Sequence, residues 1–415
     1  MSRQRIRAFH ALWTCVAFTL LLQQSVHAAG VMLPVVGTVN RSMGGVSTAA
    51  PIDGIGAIYW NPATTSALPT SELSFGMDLL MADLEFRAVG APGTQAESGV
   101  VPIPNIGWIH HSETNPRVTY GLGLLAVAGF KQSMPANPAN PLQNAPSPIV
   151  GPIYSEAQFL QLAPTMSIAM TDQLSIGFGP TITMGTLWID PMAFTAPAGP
   201  AFPSTRGTRV HWGGGAQAGI YFIGDNGWHL GASVKSPQWM EEFRYFTTAG
   251  GTVKKKFDLP MVVSLGLAYN GMQNWVFATD VRYFNYDATD GFGDAQGFAG
   301  VPGASALTGL GWSSVFAVST GAQYQMNERL TLRAGYNFHQ SPIQSAEAFF
   351  NIASPLFYQH MINMGASIRL NEFVSMNTAY SWIVDDQISG PIPGGGTVVL
   401  RSSAHIMSMG VTVRY

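Results

Sequence analysis

The chain ends in an alternating stretch, Met407-Ser-Met409-Gly-Val411-Thr-Val413-Arg-Tyr415, and this stretch decides the fold. Apolar side chains occupy every second position, and small or polar side chains lie between them. A two-residue period places one set of side chains on each face of a sheet. Because an apolar face toward lipid and a polar face toward a lumen are typical of membrane-crossing strands, the stretch predicts the closing strand of a transmembrane β-barrel.

The same period recurs along most of the chain. In residues 174–188, Leu, Ile, Phe, Met and Trp alternate with Ser, Gly and Thr, and residues 259–269 and 374–382 follow the same pattern. The first two of these runs span at least the roughly 9–11 residues that a tilted strand needs to cross the hydrocarbon. They predict further barrel strands.

Composition favours this interpretation over a soluble fold. Only 10% of the residues are charged, although 47% are hydrophobic; soluble domains carry about 25% charged residues. No run after residue 28 reaches the roughly 18 apolar residues of a membrane helix. A soluble β-sandwich or propeller is the alternative, and the low charge argues against it.

The connections between the strand-like runs are of two alternating kinds. Six are short and polar: 113–117, 171–173, 225–227, 270–274, 326–329 and 371–372. Seven are longer: near 88–98, 133–154, 190–207, 247–252, 289–310, 342–357 and 390–396. Thirteen connections join 14 strands, an even number with short turns at one end and longer loops at the other, as in bacterial outer-membrane barrels. We therefore predict an all-β fold, a 14-stranded antiparallel barrel over residues 71–415.

The N-terminus has the features of a secretory signal peptide. Arg3, Arg5 and Arg7 precede an apolar stretch, and Val26-His27-Ala28 is a cleavage site of the A-x-A kind. We expect residues 1–28 to be removed; a retained signal-anchor helix is the alternative.

Cleavage would also change the charge and the cysteine content. It removes three arginines and no acidic residue, so the net charge falls from −3 to −6, which argues against nucleic acid as a partner. It also removes Cys15, the only cysteine, and so excludes disulfides and thiol chemistry.

Residues 29–70 lack sustained alternation and are rich in Gly and Ala. Forty-two residues are too few to fold alone, so this segment must pack on the barrel. A 14-stranded barrel has a lumen wide enough to need filling. We therefore predict an N-terminal hatch, or plug, inside the lumen.

The end of this segment reads Ile58-Tyr-Trp-Asn61-Pro62-Ala63. Asn is a strong helix N-cap and Pro is preferred at the first helical position, so Asn61-Pro62 predicts a short helix just before the first strand. Upstream, the run 41–49 contains Gly44 among other small residues, where backbone must pass closely.

This arrangement resembles the FadL/TodX family of outer-membrane transporters for hydrophobic compounds. The resemblance rests on Ala29-Gly30 at the mature start, the Gly/Ala-rich stretch, the Asn61-Pro62-Ala63 motif, and a later strand that runs into Ser341-Pro342. It implies an outer-membrane location in a Gram-negative bacterium and passive uptake of a fatty acid or hydrocarbon. The family's hatch rearranges to release the ligand sideways through the barrel wall, which implies gating roles for Ala29, Gly30, Val31, Gly44, Asn61, Pro62 and Ala63.

Other functions find less support in the residues. A general diffusion porin usually keeps a charged, open constriction, and an outer-membrane enzyme or adhesin is the remaining alternative. We find no nucleophile, zinc or Walker motif, and expect no catalysis, cofactor or metal. We expect a monomer whose partners are a hydrophobic ligand, lipopolysaccharide and outer-membrane lipid.

Three further features bear on ligand binding. The Pro-rich loop 133–154 and segment 191–203, with Phe194 and Phe202, are candidates for an entry groove, although ordinary loop structure is the alternative. Lys254-Lys255-Lys256 is the only basic run, a candidate for binding phosphates or a carboxylate. The charged residues of the strand-like runs are expected in part to face the lumen and pair there: Glu241, Glu242, Arg244, Asp280 and Arg282.

Overall fold

The fold is a closed antiparallel barrel. The computed structural model describes residues 30–144, 149–300 and 305–415, so the predicted signal peptide (1–28) and Ala29 lie outside the described residues. The barrel strands are β1 Glu72–Ala88, β2 Val100–His111, β3 Val118–Met134, β4 Ile153–Ala169, β5 Leu174–Asp190, β6 His211–Ile223, β7 Trp228–Lys235, β8 Met261–Tyr269, β9 Trp275–Asn285, β10 Val315–Gln325, β11 Leu330–His339, β12 His360–Arg369, β13 Val374–Pro391 and β14 Thr397–Arg414. Each strand pairs with its neighbours in the chain, and β1 also pairs with β14. The predicted 14-stranded barrel is confirmed.

The closing strand β14 has the predicted two faces. The side chains of Met407, Met409, Val411 and Val413 are 37–62% exposed on the outer surface. Thr412, between them, is buried toward the lumen. An apolar outer face of this kind requires lipid around the barrel, because exposed apolar area in water is unfavourable.

The six short turns lie at one end of the barrel as predicted, and the longer loops lie at the other. The loop predicted near 247–252 is only the tip of a longer connection, 236–260, which carries the paired strands Phe243–Phe246 and Thr252–Lys255. The strand predicted from residue 259 begins at Met261, because Pro260 has no N–H for the ladder.

The N-terminal segment, residues 30–70, contains three short helices: α1 Thr38–Ser42, α2 Gly54–Trp60 and a 3₁₀ helix Pro62–Ala67. Nearly all of its side chains are buried, and α1 and α2 pack against inward faces of the barrel strands. Of the helices in the described ranges, none is both long and apolar enough to cross a membrane.

Candidate functional site

Close backbone contact holds the N-terminal segment against the barrel wall. Gly177, Gly231, Gly321 and Gly335 are wall positions where an added Cβ would lie only 1.8–2.3 Å from main-chain atoms of the segment. Real Cβ atoms do not approach so closely, so these four positions require glycine. The sequence predicted small residues in the segment, including Gly44, which lies against Gly335, but it did not predict the matching glycines in the wall.

The segment turns at Gly44 and Gly45, which both have left-handed backbones, with φ of 68° and 83°. Glycine adopts this conformation without a steric penalty. The turn presents two carbonyls to the wall: Asn337 Nδ2 donates to the Gly44 carbonyl at 2.6 Å, and Arg282 Nη2 donates to the Gly45 carbonyl at 2.6 Å. The predicted site residue Gly44 therefore lies at an attachment point.

Asp280 on β9 is the main polar anchor of the segment. Its Oδ2 accepts hydrogen bonds from the backbone N–H groups of Ser47 and Thr48 at 2.9 and 3.0 Å, and from Thr48 Oγ1 at 2.9 Å. The same oxygen pairs with Arg282 Nη2 at 2.6 Å, and both side chains are almost completely buried. Of the five charged residues that were expected in part to face the lumen and pair there, Asp280 and Arg282 do so.

A second buried ion pair joins Arg41 of α1 to Asp78 of β1, with Nη2 and Oδ2 2.6 Å apart. By contrast, Glu241, Glu242 and Arg244 are exposed in the 236–260 connection and do not lie in barrel strands as predicted; only Arg244 lies in a strand, the short Phe243–Phe246. Their alternation with apolar residues comes from the short strand at 243–246 and its surroundings, which lie beyond the barrel.

The motif Asn61-Pro62-Ala63 joins α2 to the 3₁₀ helix, which begins at Pro62 as the N-cap and proline preferences predicted. The Asn61 Oδ1 accepts from the backbone N–H of Ala63 at 3.1 Å. Its Nδ2 donates to the Thr48 carbonyl at 2.7 Å and to the Ile220 carbonyl of β6 at 2.9 Å. One fully buried amide therefore caps a helix, crosslinks the segment and fixes it to the wall.

Replacing Asn61 by alanine is expected to lower the free energy of holding the segment in place by about 2–4 kcal/mol, since it leaves buried carbonyls and an N–H without partners. Asn371 is the control, because its side chain accepts from Phe373 and Val374 in an exposed turn. Hydrogen exchange of residues 54–67 measures the effect. Similar protection of this region in N61A and N371A would refute the anchoring role.

Asp53 caps α2 and makes the segment sensitive to pH. Its Oδ2 accepts from the N–H of Gly56 at 3.2 Å, and Gly54 N–H donates to Glu72 Oε1 at 2.7 Å. Burial, with the Glu72 carboxylate nearby, raises the pKa of Asp53 from 3.8 to about 7.

We expect the segment to become less stable as the pH rises through about 7. Because the folded pKa of Asp53 lies above its unfolded value, the contribution is complete below about pH 4 and is lost as the pH passes the folded pKa. Amide exchange of α2, corrected for intrinsic rates, should show this loss in the wild type and a much flatter profile in Asp53→Asn. Identical profiles for the two proteins would contradict the assignment.

The first described residues add a short strand to β3. Met32 forms an antiparallel bridge with Ala128, with Leu33 N–H donating to the Val127 carbonyl at 2.9 Å and Gly129 N–H donating to the Val31 carbonyl at 3.0 Å. The register of β3 against β4 shifts between Ala126 and Ala128, a β-bulge. Of the predicted gating residues, Val31 lies in this strand, next to Gly30.

The N-terminal strand lies beside a gap in the barrel wall. The pairing of β2 with β3 stops at Asn105 and Leu125, while β2 continues to pair with β1 as far as Val100. In this part of β2, Pro102 and Pro104 have no N–H to donate, which is typical of an edge. The gap spans about 930 Å³, part of it open to the surroundings, and Leu33 lines it.

At the loop end of the barrel the structure has a cleft, here called the aromatic cleft, which spans about 870 Å³ including space open to solvent. Among the described residues that line it none is charged, and only Ser155 and Ser354 carry side-chain hydroxyls. Eight phenylalanines line it: Phe130, Phe194, Phe202, Phe257, Phe292, Phe298, Phe349 and Phe350. Phe130 also lines the wall gap, so this one residue borders both spaces.

The sequence predicted part of this cleft. Segment 191–203 contributes Phe194 and Phe202 as expected, whereas the Pro-rich loop contributes Ile149 and Ile153 but none of its described prolines. Most of the remaining lining comes from loops 286–314 and 340–359, with Phe257 from the 236–260 connection and a few residues of β3, β4 and β5. No local pattern singled out these loops, because the loops that meet here are far apart in the chain.

The basic run beside the cleft is neutralised by acidic partners. Lys255 pairs with Asp294 at 2.5 Å, and Lys254 pairs with Glu242 at 3.6 Å. Lys256 pairs with Asp258 and with a second aspartate. This pairing weakens the expectation that the run attracts phosphates or carboxylates.

Comparison with known proteins finds a family model that matches the C-terminal part of the chain. Residues 231–415 match the family model described as outer membrane protein transport protein (OMPP1/FadL/TodX). A search of curated protein sequences finds no match for the chain.

Solved structures share the fold over almost the whole chain. A FadL homologue from Pseudomonas aeruginosa has a TM-score of 0.71 at 14% identity, covering 93% of this chain and 100% of that one. The Pseudomonas putida toluene transporter TodX has a TM-score of 0.70 at 17% identity, covering 94% and 100%. The Ralstonia pickettii toluene transporter TbuX has a TM-score of 0.67 at 15% identity, covering 92% and 99%.

Proposed function

We propose that this chain is an outer-membrane transport barrel of the FadL/TodX family, and that it takes up apolar small molecules passively through the aromatic cleft and the wall gap. The aromatic cleft carries the proposal. Its eight phenylalanines and uncharged lining suit a ligand that has little to gain from water. The cleft lies at the loop end of the barrel, where it meets molecules from outside the cell.

The barrel axis offers little room for a straight path. The N-terminal segment fills the lumen with buried side chains, and its anchors at Asp280 and Asn61 fix it to the wall. A cargo that has entered the aromatic cleft therefore needs another way out, and we propose the wall gap between β2 and β3, which shares Phe130 with the cleft.

We propose that the N-terminal strand is the gate of this exit. Val31 and Leu33 are hydrogen-bonded to the part of β3 that β2 leaves unpaired, and Leu33 lines the gap. Withdrawal of this strand would widen the gap and allow an apolar cargo to pass sideways into lipid. Gly30 fits this role because an added Cβ would lie 2.7 Å from Tyr286 Oη, so only glycine allows the start of the strand to pack this closely.

Two of the similar structures are toluene transporters by name, and a third is a FadL homologue. We propose the same broad class of cargo for this chain, namely hydrocarbons or fatty acids.

The alternative functions are less well supported. A diffusion porin needs an open polar channel, which the N-terminal segment blocks, and we propose no enzymatic activity because the cleft carries no catalytic side chains.

Uptake by intact cells tests the proposal. Phe349→Arg places a charge in the cleft lining and should lower accumulation of a labelled hydrocarbon about tenfold or more, since a charge is costly in an apolar site. The matched control is Phe246→Arg, because Phe246 is exposed and lies outside the cleft.

In parallel, liposomes containing the protein should not swell in sugar solutions. Equal uptake by both variants would reject the aromatic cleft as the entry site. Rapid swelling would reject the proposal in favour of a porin.

A further inference from the structure

The outer side of the wall gap has an apolar half and a polar half. Toward the short turns, the gap is lined by the outward side chains of Leu160 and Met184, which are opposite each other in the register of β4 and β5. Two residues closer to the loops, the next outward pair is Gln158 and Thr186, and both also line the gap. The apolar belt of the barrel therefore ends within the gap, at the level where hydrocarbon gives way to lipid headgroups.

A lysine lies at the polar edge of the gap. Lys131 of β3 is directly opposite Glu156 of β4, so the two side chains share the outward face, one row beyond Gln158. The Glu156 carboxylate accepts hydrogen bonds from the Tyr154 hydroxyl and from Gln158 Nε2, both on its own strand. The Lys131 ammonium is thus left for an anionic oxygen outside the barrel.

Outward charges of this kind occur on few strands. From β6 to β11 the outward faces are uncharged, and the charged side chains of these strands point into the lumen. On β1 and β14 the outward basic residues Arg87 and Arg401 each have an acidic partner, Glu85 and Asp385 respectively. Lys131 differs from both arginines because the carboxylate opposite it is engaged by other side chains.

We propose that the wall gap holds one acyl chain of lipid A, the phosphorylated glycolipid of the outer leaflet, and that Lys131 binds a phosphate of this lipid. The location selects the occupant, because the outer side of the gap opens onto lipid. The gap lies in the loop-side half of β2 and β3, which is the half in the outer leaflet. The inference rests on the outer-membrane location in the proposed function and does not depend on the cargo.

The two halves of the gap match the two parts of such a lipid. An acyl chain gains from leaving no void beside the apolar side chains of Leu160 and Met184. The headgroup then lies beside Gln158 and Lys131, where the lysine ammonium can donate a charge-assisted hydrogen bond to phosphate. Basic side chains at the membrane surface bind anionic lipid headgroups in the same way.

A bound chain would also complete the barrel wall. Pro102 and Pro104 of β2 have no N–H to donate, so β2 cannot close the gap with a full ladder of hydrogen bonds. An acyl chain needs no hydrogen bonds to cover this opening. The lipid therefore seals the wall from outside, and a cargo that leaves through the gap displaces the acyl chain.

Native mass spectrometry of the purified protein, titrated in detergent with lipid A, tests the inference. The wild type should bind one molecule tightly. Lys131→Met should weaken this binding about tenfold, because it removes one charge-assisted hydrogen bond. Ala126→Phe should weaken it by a similar factor, since Ala126 lines the gap opposite Leu160 and the larger side chain would occupy the place of the acyl chain.

Lys254→Met and Ala334→Phe are the matched controls and should bind lipid A as the wild type does. Lys254 lies in the exposed connection, and Ala334 shares the outward face of β11 with Leu332, away from the gap. Circular dichroism checks the fold of each variant, and either test variant decides the matter if the other does not fold.

Equal affinity for lipid A in all five proteins would overturn the lipid site. Equal affinity of the wild type for lipid A and for phosphatidylglycerol would overturn lipid A as its occupant. Neither result involves a cargo, so the proposed function would stand. Equal uptake by the Phe349→Arg and Phe246→Arg variants would instead count against the proposed function and leave the lipid site intact.

Discussion

Replacing Asp280 by alanine is expected to release the N-terminal segment from the barrel wall and to make the barrel leak small polar solutes. The Asp280 carboxylate holds two backbone N–H groups and a hydroxyl of the segment, and it neutralises Arg282 in a fully buried pair. Removing one partner of such a pair costs about 3–5 kcal/mol, because the other charge is left buried and alone. We expect Asp280→Asn to have a smaller effect in the same direction.

Asp385→Ala provides a matched control. Asp385 and Arg401 are 2.5 Å apart, but both side chains are about half exposed, and pairs of that kind contribute at most about 1 kcal/mol. Single-channel conductance in planar bilayers measures the leak, and hydrogen exchange of residues 38–60 measures the release. Closed channels and full protection in D280A would show that the segment does not depend on this anchor.

Alternation and turn chemistry sufficed to predict the barrel. The outward apolar face of β14 and all six short turns are local patterns, and local patterns are visible in a sequence. The same holds for Asn61-Pro62, whose capping geometry involves neighbouring residues, and for the pairing of Asp280 with Arg282, which lie two residues apart on one strand face.

Contacts between distant residues were not predictable in this way. One example is the contact between Lys235 and Tyr59, and another is the set of wall glycines such as Gly231. Both depend on the register of the N-terminal segment against the barrel, which no single stretch of sequence determines. The wall gap is an intermediate case. Pro102 and Pro104 within one strand signal an edge, although an interior barrel strand was the simpler expectation.

A disulfide between residues 32 and 128 is expected to abolish uptake. Met32 and Ala128 are opposed in the N-terminal bridge, and the flanking bonds from Leu33 and Gly129 make them a non-hydrogen-bonded pair. Such pairs have Cα atoms about 4.5 Å apart, within the range of disulfides. The crosslink would hold the gate shut while leaving the aromatic cleft open to its ligand, so binding should persist and transport should stop.

The chain suits this experiment because its only natural cysteine, Cys15, lies in the predicted signal peptide. Single-cysteine variants M32C and A128C control for the substitutions themselves. Neither of these can form the intramolecular crosslink, so both should transport in oxidising and in reducing conditions.

The most direct test of the gate is therefore hydrocarbon uptake by cells carrying Met32→Cys with Ala128→Cys, measured before and after treatment with a reductant. Our account predicts that uptake falls about tenfold or more in the oxidised double variant and returns on reduction, while either single variant is unaffected. Full uptake by the oxidised, fully crosslinked protein would contradict it, because cargo would then leave the barrel without any movement of the N-terminal strand.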